Sequence, residues 1–112
     1  MVTGSLDKNA PELSILVRGN VVSTNADGIG SAISGILTKY QAQPWKCLKI
    51  DLKAVKMVDS VGLNLILALV RKLEGDNRSV RIFVKESAVK RVFQISKLDT
   101  VVPVITQKRG RW

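Results

Sequence analysis

The residues with the most chemistry lie in one run, Met57-Val58-Asp59-Ser60-Val61-Gly62-Leu63. A carboxylate and a hydroxyl stand side by side just ahead of a helical apolar period. The first N–H groups of a helix have no intrahelical acceptor, and the helix dipole places partial positive charge there. Two readings of Asp59-Ser60 follow. One is a plain cap, since Asp and Ser are both favoured at helix N-termini. The other is a phosphorylation site, since free N–H groups and the dipole accommodate a dianion on Ser60. Gly62 lacks a side chain and permits close approach by a partner or by neighbouring backbone.

Nucleophilic catalysis by Ser60 is not supported. The chain has no His, the commonest general base and metal ligand. No Gly-x-Ser-x-Gly elbow surrounds the serine. One cysteine, Cys47, excludes an intramolecular disulfide and a Cys-rich zinc site. Gly28-Ile29-Gly30 is a fragment of a dinucleotide fingerprint, with Ile33 at the third glycine position and the run inside a helical period. No enzymatic activity, cofactor or metal is expected. The balance of 18 Lys+Arg against 9 Asp+Glu gives +9 and a pI near 10.1. The cations are spread along the chain, and only Lys108-Arg109-Gly110-Arg111 is dense. Aromatics at 4% are too few for a base-stacking platform. Attraction to polyanions is expected, specific nucleic-acid recognition is not.

The elements that must position Asp59-Ser60 follow from periodicity. At 112 residues and 46% apolar, the chain suits a single domain, with a core over about 13–105 and a loose basic tail over 106–112. Residues 1–12 have room for a short first strand. Leu13 to Arg18, Cys47 to Leu52 and Ser79 to Val84 read as strands, and Val101 to Ile105, with Pro103, as a short edge strand. Ser23, Thr24 and Asn25 are candidate caps for a helix carrying Ile29, Ile33, Ile36/Leu37 and Tyr40. Gly28, Gly30 and Gly35 weaken it by roughly 1 kcal/mol each, and are expected to let it lie close to a sheet. A second helix runs from Asp59-Ser60 to about Glu74, with Leu63, Ile66, Leu67, Val70 and Leu73 as its stripe. A third spans Ser87 to Ile95, with Ala88, Val89, Val92 and Phe93 inward. Cys47 is expected to pack as a small hydrophobe in a buried strand. Trp45 either caps the core at a sheet end or contacts a partner. Alternation of strands and helices implies an α/β fold with parallel strand pairs. Three helices leave the second sheet face partly open or covered by the N-terminal segment.

The order of these elements, with Leu48-Lys-Ile-Asp-Leu followed by Val58-Asp59-Ser60-x-Gly62-Leu63, resembles the STAS domain of bacterial anti-sigma-factor antagonists of the SpoIIAA type. The resemblance runs from about Leu13 to Val104. It includes the Gly19-x-Val21 turn, Val89-Lys90-Arg91-Val92-Phe93 and Leu98-Asp99. It implies a mixed sheet of four to five strands with three or more helices. It also implies that Ser60 is the phosphorylated residue of a binding switch. The implied partners are an anti-sigma factor/serine kinase with a histidine-kinase-like ATPase domain, and a PP2C-type phosphatase. Phosphate on Ser60 would release the anti-sigma factor. The implied contact residues are Val22, Ser23 and Thr24 in the turn and Asp59, Ser60, Val61, Gly62, Leu63 and Asn64 at the helix start, with Leu63 and Leu67 either surface or core.

Three positions depart from the family pattern. Val22 stands where the turn usually carries Asp, Val61 where Ser or Thr often follows the serine, and Lys97 where Gly often precedes Leu98-Asp99. Val22 gives weight to an alternative, a STAS scaffold or accessory subunit of a transport or signalling complex without a phospho-switch. The N-terminus lacks a basic start and apolar core, and Leu63 to Val70 is too short to span a bilayer. A cytoplasmic location without membrane insertion is expected, and self-association is left open.

Overall fold

A computed structural model describes residues 2–7, 9, 11–85, 87–100 and 102–106, with side chains at 87 and 88 excepted. The elements in order are β1 (Val2–Asp7), β2 (Glu12–Arg18), α1 (Ala26–Tyr40), β3 (Cys47–Ala54), α2 (Ser60–Gly75), β4 (Ser79–Val84), α3 (Ser87–Ile95), a 3-10 turn (Leu98–Thr100) and β5 (Val104–Thr106). The sheet order is β1-β2-β3-β4-β5. β1 and β2 form an antiparallel hairpin, and β2 to β5 run parallel. This is the expected mixed five-stranded sheet with three helices.

Chain order and sheet order coincide, so right-handed crossovers put every helix on one face. Burial agrees. Leu13, Ile15, Val17, Leu48, Ile50, Leu52, Val80, Ile82 and Val84 point to the covered face and are buried. They meet Ile29, Ile33 and Leu37 of α1, Ile66, Val70 and Leu73 of α2, and Val89 and Phe93 of α3 in one core. Each such side chain contributes roughly 1.5–3 kcal/mol.

The second face is left without helices. Its Ser14, Leu16, Lys49, Asp51 and Lys53 are half-buried, and Phe83 lies under the Lys49 ammonium, 4.7 Å from its ring centroid. Arg81 donates to the Glu12 carboxylate across it. The N-terminal segment does not cover this face, because it extends the sheet at the β1 edge instead.

Several local expectations need correction. Cys47 is half-buried at the start of β3, on the side away from the helices, and not in the core. Gly30 lets α1 approach α2, not the sheet, since a Cβ there would sit 3.0 Å from Leu65, while Gly28 and Gly35 face open space. The last strand starts later than the sequence suggests. Pro103 has no N–H to give, its carbonyl accepts from Ile82 N–H at 2.9 Å, and regular pairing begins at Val104. Trp45 caps the core as one reading held. It is 2% exposed, donates Nε1–H to the Tyr40 carbonyl at 2.9 Å, and carries the Arg78 guanidinium 3.7 Å from its ring centroid. Most of the expected tail, residues 107–112, lies outside the described residues, as does the side chain of Ala88.

Candidate functional site

The site is built where two strand-to-helix loops meet at the C-terminal edge of the parallel strands. β2 ends at Arg18, and Gly19, whose φ of 85° suits glycine, turns the chain sharply. The chain then runs alongside the β3–α2 loop. Val21 N–H donates to the Met57 carbonyl at 2.9 Å, and Asp59 N–H donates to the Val21 carbonyl at 3.2 Å. Val21 and Val58 form a parallel bridge and are buried, which pins both loops to the core.

Asp59 ties the two loops together. One carboxylate oxygen accepts from Gly62 N–H at 2.9 Å and caps α2. The other accepts from Ser23 N–H at 2.8 Å, across 36 positions of sequence. Hydrogen bonds from Gly62 and then Ser23 hold its carboxyl below the usual carboxylate range. The capping reading is thus correct for Asp59, and it leaves Ser60 as the first residue of α2, exposed.

Gly62 is buried, and a Cβ on it would come 2.1 Å from the Val21 carbonyl oxygen. Of the two close approaches that a glycine permits here, the neighbouring backbone has taken it. Gly62 positions the site and is not presented to a partner.

The structure brings most of the expected contact residues to one surface. Ser23 and Thr24 are exposed and Val22 is half-buried, on the loop that Asp59 grips. Val61 is 45% exposed, Asn64 is exposed and Leu63 is half-buried against the core. Leu67 is half-buried too, and Leu69, absent from the expected stripe, is buried in its place. Thr24 and Ser23 do not cap α1, and the N-cap residue is Asn25, whose Oδ1 accepts from Val22 N–H at 2.9 Å. Met57 opens the run that stands out in the sequence but is not among the expected contact residues. It is 56% exposed, three residues ahead of Ser60 in the chain, and a methionine in a loop between two buried valines carries no periodicity to reveal it.

A match to the family model of the STAS domain spans residues 7–109. The chain belongs to the STAS domain family. Among solved structures, this STAS chain is similar to an anti-sigma factor antagonist from Mycobacterium paratuberculosis, at 24% identity and a TM-score of 0.77, over 94% of this chain and 86% of that one. It is similar to the anti-sigma factor antagonist SpoIIAA in its unphosphorylated form, at 15% identity and a TM-score of 0.64, over 96% and 87%. It is also similar to the Bacillus cell fate determinant SpoIIAA in the phosphorylated form, at 16% identity and a TM-score of 0.67, over 97% and 93%. At these identities the likeness is one of fold. No curated protein matches the sequence. Among the described residues no helix is long and apolar enough to cross a membrane, and no group of three His, Cys, Asp or Glu side chains is placed to hold a metal.

Proposed function

We propose that this STAS domain is an anti-sigma-factor antagonist and a phosphorylation-switched binding module in the cytoplasm, acting by binding and not by catalysis. The observation that carries the reading is the exposure of Ser60 at the first position of α2, between exposed Met57 and Val61, on a surface held rigid by Asp59. In the unmodified state the surface docks an anti-sigma factor that is also a serine kinase with a histidine-kinase-like ATPase domain. The kinase moves the γ-phosphoryl group of ATP to the Ser60 oxygen, releasing ADP and the hydroxyl proton. A PP2C-type phosphatase hydrolyses the ester and restores the hydroxyl.

The phosphate adds about −1.5 to −2 charges at the centre of the docking surface. Burying that dianion against a surface matched to a neutral hydroxyl costs more than the contact returns. At the fold level the cost is small, because the start of α2 favours negative charge. Ser60→Asp is therefore expected to keep the melting temperature and weaken binding of the anti-sigma factor at least ~10-fold, about 1.4 kcal/mol. Incubation with the kinase and ATP should add one phosphate by mass spectrometry, lost in Ser60→Ala. Labelling that survives in Ser60→Ala excludes the assignment.

Val22 favours a second reading, a STAS scaffold or accessory subunit of a transport or signalling complex without the switch. Its loop offers no carboxylate, and the Val22 N–H is committed to Asn25. A kinase with no activity on Ser60, together with a transporter subunit recovered in a pull-down, would select it.

A further inference from the structure

We propose that two copies of this chain join their sheets through β1, paired antiparallel with its own copy about a two-fold axis at Gly4. β1 is the end strand of the sheet, and its outer N–H and C=O groups have no strand partner among the described residues. Its pairing with β2 is regular from Val2↔Val17 to Asp7↔Glu12, with no bulge. Open sheet edges are normally blunted by short strands, proline, bulges or charged side chains, lysine above all. The opposite edge follows that practice, since β5 has three residues and Pro103 precedes it. β1 has six residues and no proline, and Val2 to Leu6 carry no charge.

The residues of this edge single out a second copy as the occupant. A two-fold interface must be complementary to itself. Val2-Thr3-Gly4-Ser5-Leu6 has the same chemistry read from either end: aliphatic, hydroxyl, glycine, hydroxyl, aliphatic. Opposed residues of an antiparallel pair share a face of the sheet. With Gly4 on the axis, Val2 opposes Leu6 of the second copy on the helix face, and Thr3 opposes Ser5 of the second copy on the open face. Val2, Leu6, Ile36 and Tyr40 are half-buried and packed on the core along this edge. A recess between Leu6, Pro11, Pro44 and Trp45 continues that apolar strip. Ile36 covers Gly4 closely, for a Cβ on Gly4 would sit 2.6 Å from it. At a strand spacing of ~4.8 Å the two Ile36 side chains meet over the axis, so pairing covers apolar surface as well as backbone. The axis stands perpendicular to the sheet, so the parallel strands of the two copies run in opposite directions. The two Ser60 surfaces then point opposite ways and stay open. One strand and one helix flank make a small interface, so the association is weak and needs high concentration.

The test is sedimentation equilibrium of the full chain at physiological salt, carried to millimolar concentration, with melting curves to show that each variant is folded. Thr3 and Ser5 are exposed, and both can be replaced without touching the core. Wild type should dimerise. T3K/S5K sets lysine against lysine across the axis and should dimerise at least ~10-fold more weakly. T3K/S5E sets lysine against glutamate and should dimerise at least as tightly as wild type. S31K/S34K adds the same charge at exposed positions of α1 and should behave like wild type. A wild type that stays monomeric, equal constants for T3K/S5K and wild type, loss in both T3K/S5K and T3K/S5E, or an equal loss in S31K/S34K would each overturn the proposal. A second measurement needs no variant. On dilution of isotope-labelled wild type, the amides of Thr3 to Leu6 and the methyl groups of Ile36 should shift. Shifts gathered instead around Lys49 and Phe83 would put the contact on the open sheet face and overturn the pairing of edges.

Discussion

At the scale of single residues, Asp59 and Lys97 carry opposite lessons about backbone geometry. Asp59 accepts two backbone hydrogen bonds that exist only in the folded chain, and they depress its pKa below the unfolded value of ~3.9. A depressed carboxyl contributes stability that is complete above the unfolded pKa and is lost as pH falls through the folded one. Asp59→Asn keeps an N-cap acceptor but does not titrate. The difference in melting temperature between wild type and Asp59→Asn should therefore be constant from ~pH 7 to ~pH 5 and shrink below ~pH 4. A gap unchanged down to ~pH 2 would show that the charge contributes nothing. Lys97 stands at φ 61°, just past the end of α3, in the left-handed region that costs a side chain about 1 kcal/mol or more. It occupies the position where the family pattern has Gly. Lys97→Gly is expected to raise unfolding free energy by about 0.5–1 kcal/mol, after allowance for the greater freedom of Gly in the unfolded chain. Chemical denaturation would check it.

Elements explain which parts of this architecture the sequence discloses. β4 and α3 have the bounds that alternation and helical spacing predict, because Val80, Ile82 and Val84 at period two and Val89 and Phe93 at helical spacing mark the side each turns to the core. α2 is harder to read. Its run Leu63-Asn-Leu-Ile-Leu-Ala-Leu-Val is apolar on most sides, so spacing cannot say that Leu69 goes inward and Leu67 stays half-buried. Its neighbour α1 decides that, with Gly30 opening room for Leu65. The Asp-Ser pair was legible as a helix start. The grip of Asp59 on Ser23 was not, because a bond across 36 positions leaves no local periodicity. Glycines show the same division. Gly62→Ala must displace the Val21 backbone and should cost about 1–3 kcal/mol, the usual range for overpacking. Gly35→Ala, mid-helix and facing open space, should stabilise by about 0.5–1 kcal/mol. Paired urea titrations test both, and equal effects would mean that the contact between the two loops is loose.

For the whole molecule the dominant electrostatic fact is its excess of 9 positive charges. Ion pairs link Lys53 with Asp51 and Arg81 with Glu12. A net excess of one sign over the surface is a self-repulsion that is relieved on unfolding. Salt screens repulsion and attraction alike, and here more repulsion is available to screen. The Debye length falls from ~30 Å at 0.01 M to ~8 Å at 0.15 M. Raising NaCl over that range should raise the melting temperature, with little further gain at higher concentration. Sodium sulfate would continue to stabilise well beyond it, because ion exclusion from the surface does not saturate in the same way. The trend should steepen at ~pH 4, where protonated carboxylates leave the 18 basic side chains less opposed. A melting temperature that falls with NaCl at neutral pH would mean that attractive pairs outweigh the excess charge. Lys56 and Lys85 belong to that excess, so reversing both should narrow the salt response of the free protein.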